Sequence, residues 1–179
     1  MVKVYSIGGV TPVVHPTAFV HPTASLIGDV VIGPGCYVGP GASIRADFGR
    51  FEMGCGSNFQ DNCTAHGFVG EDIIVGEDCN IGHGAVIHGA VLHDRVLVGM
   101  NSVVMDGVVL HDDVLVAALA LVPAAMEVPR METGSVRGPK SWQLRTHRLA
   151  LVLIAAGIAC PALARSSGLD ILTMIAARR

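Results

Sequence analysis

Residues 31–44, "VIGPGCYVGPGASI", place an aliphatic side chain at Ile32, Val38 and Ile44, each six positions after the last. Glycines, prolines and other small residues fill most of the intervals. A spacing of six suits neither the helical turn nor the simple two-residue alternation of a long strand. It suits short strands joined by tight corners, with one aliphatic residue of each strand turned inward.

The same ruler extends both ways. Upstream it meets Leu26, Val20 and Val14; downstream it resumes at Val75, Ile81 and Ile87. After a five-residue step it continues through Leu92, Val98, Val104, Leu110, Val116 and Val122. Between about Phe51 and Ile74 the frame slips, which predicts a loop or irregular turn there. Three such strands close one turn of a triangular prism. Stacked turns bury the aliphatic ladders and give each backbone group a partner in the next coil. Glycine, Pro22, Pro34, Pro40, Asn101 and Asp29 supply the corner chemistry. A sandwich of short strands would instead repeat about every 8–12 residues through hairpin turns.

Composition narrows the function classes. The 179 residues are 51% hydrophobic and 15% charged, with 22 glycines but only 4% aromatics, so the core is expected from small and β-branched side chains. A net charge of −3 offers nothing to a phosphate backbone, so nucleic acid is not an expected partner. The opening "MVKVYSIGGVTPVVHP" has no basic region followed by a long apolar run, which points away from a secretory signal and toward the cytoplasm. Cys36, Cys55, Cys63, Cys79 and Cys160 form no CxxC pair and read as buried thiols.

The repeat resembles the bacterial transferase hexapeptide pattern, whose fold is the left-handed parallel β-helix. "SIRADFGR", "NFQDNCTAHGF", "IGHGAVIHGA" and "LVGMNSVVMDG" resemble, more narrowly, the γ-class carbonic anhydrase branch. The opening "GGVTPVVHPTAFVHPTASLIGDV" is similar to the PaaY/CaiE-type members of that branch, named for phenylacetate degradation and carnitine metabolism. The resemblance covers roughly residues 5–129. It implies a homotrimer with a divalent metal at each subunit interface, zinc first and iron or cobalt as alternatives. His66 and His88 would come from one subunit and His83 from its neighbour. Three neutral imidazoles leave coordination positions open, as catalytic sites do, and lower the pKa of a bound water.

His83 and His88 are five positions apart, so strand alternation would turn them to opposite sides. That agrees with a separate interface for each. Arg45 and Asp47, one residue apart, share a face; the resemblance makes them an ion pair near the metal that bridges subunits. Gln60 matches a family glutamine beside the metal-bound water, with Asn58 two residues before it. An amide orients by hydrogen bonds and does not serve as a general base. His15, His21, His93, His111 and His147 read as surface or capping residues, and Asp61 as structural.

Two departures bear on activity. The active carbonic anhydrases of this class carry proton-shuttling glutamates after the RxD aspartate and in a loop after the first ligand histidine. Phe48 and "GFVGED" stand there, with Glu71 as the available substitute. Weak or absent CO2 hydration is therefore expected, and hydrolysis of a coenzyme A thioester is the preferred reading. Acyl-CoA or CO2/bicarbonate are the candidate substrates. The alternatives are carbonic anhydrase activity proper, or a non-catalytic, metal-stabilised accessory protein of a coenzyme A pathway; acyl transfer needs no histidine trio.

The pattern stops after Pro129, dividing the chain into a β-helix of residues 1–129 and a C-terminal segment of residues 130–179. Residues 149–164, "LALVLIAAGIACPALA", carry no charge but fall short of the roughly 20 residues that span a bilayer. Pro161 interrupts them. A divergent helix, an out-of-frame tail and, less favoured, a membrane anchor are the readings of this segment.

Overall fold

The structure, a computed structural model, describes residues 2–130 and the backbone of the strand Ala150–Val152. It is an all-β parallel solenoid, and every strand pairing among the described residues is parallel. The aliphatic ruler resolves into three stacked columns. One runs Val14, Ile32, Met53, Val75, Leu92, Leu110, Val128. A second runs Val20, Val38, Phe59, Ile81, Val98, Val116. The third runs Leu26, Ile44, Ala65, Ile87, Val104, Val122. All but Val14 are buried.

Each side of a coil buries a second residue, two positions before the ladder. These are Val30, Phe51, Ile73 and Val108 under the first column, and small residues such as Cys36, Ser57, Cys79, Ala42, Cys63 and Ala85 under the others. So each side turns in two residues where one was expected. The cysteines and the serine among the small ones donate to carbonyls of the next coil. Cys36 Sγ donates to Gly54 O at 2.9 Å, Ser57 Oγ to Gly76 O at 2.6 Å and Cys63 Sγ to Gly82 O at 3.1 Å. Burial pushes the Cys63 and Cys79 thiols up to about 11. Cys55 departs from the expected burial and is exposed, while Cys160 lies outside the described residues.

The core also departs from its expected composition. Phe51 and Phe59 are fully buried and meet edge to face, with ring centres 5.8 Å apart. They fill the prism where the coils are longest.

The frame slip falls at two points. The strand Ser43–Met53 takes extra residues at Asp47–Arg50, and a loop occupies residues 67–72. Between these, Met53, Phe59 and Ala65 keep the ladder. Pro22, Pro34, Pro40 and Asn101 stand in corners, as expected. Asp29 does not: it lies within the strand Ser25–Ile32, where the register shifts between Gly28 and Val30, and it pairs with Arg50.

The corners use left-handed backbone. One column stacks Gly41, Asn62, Gly84, Asn101 and Leu119, with φ of 70°, 58°, 71°, 54° and 63°. Asn tolerates this region through its short polar side chain; Leu pays a steric penalty there. The motif "HPTA" makes two more corners. Thr17 and Thr23 donate to the Nδ1 atoms of His15 and His21 and accept the Gly35 and Gly41 amides. His15 and His21 are thus capping residues. His93 and His111 stack on the outer surface at 5.0 Å; His147 lies outside the described residues.

At the end of the described solenoid, Arg130 and Arg95 both grip Asp112 and the buried Asp113. The readings of residues 130–179 fall outside the described residues except at two places. One is Arg130; the other is Ala150–Val152, a strand rather than a helix, which pairs with Val114–Val116. Among the described residues, no helix is long and apolar enough to cross a membrane.

Candidate metal centre

The third column places His66 and His88 on adjacent coils. His66 ends the strand Thr64–His66, His88 ends Val86–His88, and the two are register partners. Each follows a ladder residue by one position, so both rings point outward. His66 Nδ1 lies 3.2 Å from His88 Nε2. The opposite nitrogen of each ring faces a carboxylate: His66 Nε2 is 3.1 Å from Asp47 Oδ1, and His88 Nδ1 pairs closely with Asp106 Oδ1. These carboxylates accept the ring N–H, fix the tautomers, and leave the two facing nitrogens as electron-pair donors.

Asp47 is itself held by Arg45 Nη1 at 2.7 Å. Burial by itself pushes the Asp47 carboxyl up. The Arg45 hydrogen bond and charge, the Asp47 amide and His66 outweigh burial and hold it below the usual carboxylate range. Arg45 and Asp47 share one face, as alternation requires, and that closeness lets their ion pair form within one chain where a pair bridging subunits was expected.

Glu71, from the loop of residues 67–72, reaches the same neighbourhood. Its Oε2 is buried without a hydrogen-bond partner, and both it and the Asp106 carboxylate lie within 4 Å of where a Gly89 side chain would begin. Gly89 has φ of 51°, so this position needs glycine on both steric and backbone grounds. Phe48 and Phe68 close the sides, with ring centres 5.7 Å from His66 and 5.0 Å from His88.

The other predicted residues gather elsewhere. His83 occupies the corner turn between the strands Asn80–Ile81 and Val86–His88, so strand alternation does not govern it. Its side chain is 54% exposed, and its Nδ1 is 3.6 Å from Asp61 Oδ2. Asp61, expected to be structural, thus faces a histidine as Asp47 and Asp106 do. Gln60 Nε2 donates to Asn58 Oδ1 at 3.1 Å and to Asn80 Oδ1 at 2.8 Å. Both amide hydrogens are used, so Gln60 presents an acceptor. A groove of about 370 Å³ leads from Gln60, Asn80 and His83 along Leu97, Met100 and Leu115.

The predicted residues therefore form two clusters: Arg45, Asp47, His66 and His88 on a flat face, and Asn58, Gln60 and His83 at a corner. Among the described residues, no three His, Cys, Asp or Glu groups meet as a metal-sized cluster within one chain. Asp106, Asn80 and Phe68 were not singled out from sequence. Asp106 had a weaker signal: it lies one residue beyond Met105, the position that the Val86–Val103 and Ile87–Val104 pairing brings onto the coil after His88.

Known proteins agree with this architecture. Residues 11–46 match the family model "Bacterial transferase hexapeptide (six repeats)", and residues 72–105 and 93–118 match "Hexapeptide repeat of succinyl-transferase". The chain is 55% identical over 120 residues to the carnitine operon protein CaiE of Escherichia coli O157:H7, covering 67% of this chain and 61% of the relative. It thus spans about three fifths of the length of these curated relatives. A hexapeptide transferase family protein from Anaplasma phagocytophilum superposes with a TM-score of 0.68 at 34% identity, over 70% of this chain and 74% of the other. A structure from Bacillus cereus superposes with a TM-score of 0.70 at 26% identity, over 72% and 74%. With three ladders in register, repeats matched along the solenoid and a hexapeptide transferase family relative 34% identical over most of its length, this chain belongs to the hexapeptide-repeat family, left-handed parallel β-helices.

Proposed function

We propose that the chain is a carnitine-pathway protein that hydrolyses a coenzyme A thioester at a metal site shared between subunits of a homotrimer. The observation that carries this is the pair of facing nitrogens, His66 Nδ1 and His88 Nε2, 3.2 Å apart, each on a ring anchored to a carboxylate. Two ligand nitrogens of a tetrahedral zinc, each about 2.0–2.1 Å from the ion, stand at about this separation. Such a donor set fits zinc, with iron or cobalt as alternatives. His83 of a neighbouring subunit supplies the third imidazole, with Asp61 facing its Nδ1 at the longer distance of 3.6 Å.

The bound ion supplies Lewis acidity that brings a water toward deprotonation near neutral pH. The chain's own groups do the rest. Gln60 accepts a hydrogen bond from the attacking water and aims it. Asp47 and Asp106 accept the ring N–H groups and keep the imidazoles correctly turned. The groove along Leu97, Met100 and Leu115 takes the long amide-bearing arm of coenzyme A. In the reaction the water oxygen bonds to the acyl carbon and the carbon–sulfur bond breaks. Coenzyme A departs as the thiol, and the acid is released as carboxylate plus a proton.

The test uses the purified chain after zinc loading. Light scattering should show a trimer, and metal analysis about one zinc per chain. Acyl-CoA hydrolysis should be lost on chelation and regained with zinc, while CO2 hydration stays weak. A zinc-loaded trimer inert to every thioester would leave the accessory role as the better reading. Fast CO2 hydration would favour carbonic anhydrase proper.

A further inference from the structure

His93 and His111 repeat, at another corner of the prism, the arrangement of His66 and His88. Each follows a ladder residue of the first column by one position, and those residues, Leu92 and Leu110, are register partners. The two rings lie nearly parallel, 3° apart in plane, with centres 5.0 Å apart. Neither caps a turn as His15 and His21 do. Among the described residues, the His93 ring makes no hydrogen bond, and the His111 ring meets only Glu127.

Glu127 comes from the next coil, one position before the ladder residue Val128. Its Oε1 lies 2.8 Å from His111 Nε2. Two ligands at right angles, each about 2.0 Å from one ion, stand at this separation. An ion placed there replaces the ring proton between the two atoms, and the His111 imidazole keeps its hydrogen on Nδ1. His93 and Glu127 are exposed and His111 partly so. The His93 ring therefore has room to turn from face to edge and bring a second imidazole to the same ion.

The neighbouring charges leave the Glu127 carboxylate available. Arg95 and Arg130 pair with Asp112 and Asp113. Asp94 Oδ1 accepts the Glu77 amide at 2.9 Å, and its Oδ2 is 3.9 Å from Arg95 Nη1. Among the described residues, no Lys or Arg pairs with Glu127. The corner would also stay open in the proposed trimer. His66 and His88 end strands of the third column and His83 stands in the corner leading into it, so both interfaces flank that column. The corner after the first column is the opposite vertex of the prism.

We propose that His93, His111 and Glu127 form a second metal site, for a borderline divalent ion such as nickel, that staples three successive coils. Two of the ligands already stand at ligand spacing, and the turn of His93 supplies the third. Imidazole suits such an ion, and water fills its remaining positions. The site needs neither the shared zinc nor the hydrolytic reading.

The experiment titrates nickel alone into two proteins by calorimetry: the zinc-loaded chain, and the His66→Ala, His88→Ala chain, which lacks the shared site. Each should take up one nickel per chain, and the first should keep its zinc by metal analysis. His93→Asn and His111→Asn should each weaken nickel binding about tenfold or more, because each removes a ligand. His147→Asn and Cys55→Ser should leave it unchanged. Nickel should raise the Tm of the parent chain but not of the double variant His93→Asn, His111→Asn. Uptake matched by zinc loss, or no uptake by the chain lacking the shared site, overturns the proposal. So does nickel binding that survives the double variant or disappears with His147 or Cys55.

Discussion

His66 and His88 on a flat face, and His83 at a corner, solve the same problem by different means. The flat-face pair inherits its geometry from coil stacking. Backbone pairing sets the spacing, and each ring is locked by a carboxylate, with side-chain exposures of 15% and 23%. The corner histidine has no strand register to hold it, is 54% exposed and has its carboxylate at 3.6 Å, beyond hydrogen-bond distance. The difference teaches that the fold preorganises the flat half, while the corner half is left loose in a single chain and, in the proposed trimer, would be completed by assembly.

The strongest way to break this comparison is to remove one histidine from each half. His83→Ala and His66→Ala should each lower zinc affinity on the order of a hundredfold or more, because losing either imidazole removes one of three ligands. Zinc titration against a competing chelator reads this. A monomer that holds tight stoichiometric zinc would end the idea of a shared site. Complementation sharpens it. A His83→Ala chain refolded with a His66→Ala, His88→Ala chain should regain zinc at the mixed interface that has all three ligands. No recovery, with mixed trimers verified by mass, would place the ligands within one chain.

The next contrast concerns the carboxylates. Asp106→Asn should weaken zinc binding about 10–100-fold, since it removes the group that fixes the His88 tautomer. Asp61→Asn should cost only about threefold, because its contact with His83 is long and exposed. Equal losses in the same titration would mean that assembly tightens the corner to the standard of the face.

Stability separates faces from corners as well. Ile87→Ala empties a fully buried rung below His88 and should destabilise the fold by about 2–5 kcal/mol in denaturant unfolding. Leu119→Asn should stabilise it by about 1 kcal/mol, because Leu119 is 74% exposed with φ of 63° in a column that holds Asn62 and Asn101. A loss at Leu119 would show that its side chain is used in the assembled protein.

Faces were also more legible than corners in the sequence. A column position such as Ile32, Val38 or Ile44 accepts only an aliphatic side chain, so a one-dimensional ruler finds it. Counting coils, with the five-residue step included, would have brought Asp106 to within one position of His88 on the next coil. Corners follow looser rules. His83 was read through strand alternation although it stands in a turn, and Asp29 was read as a turn residue although it stands in a strand. Cys55 looked like the other cysteines, yet it lies outside the two buried positions that receive Cys36, Cys63 and Cys79. Phe51 and Phe59 could not be placed inside from composition, because the two insertions that let the prism hold rings are invisible to a fixed period. The pairing of Gln60 with Asn80 spans 20 residues and needed the coil count across those insertions.

The coil-to-coil pairing has a consequence for motion. Each rung touches only the rung before and the rung after, so opening spreads from the two ends as in other stacked repeats. His66 pairs back to the coil of Ile44 and forward to that of Ile87, and further coils lie on both sides. The terminal coils can fray and re-form while the central ones stay shut. Amide exchange should therefore be slowest at Ala65 and Ile87 and quicken toward Val20 and Val122, leaving the histidine pair in the stillest part of the solenoid.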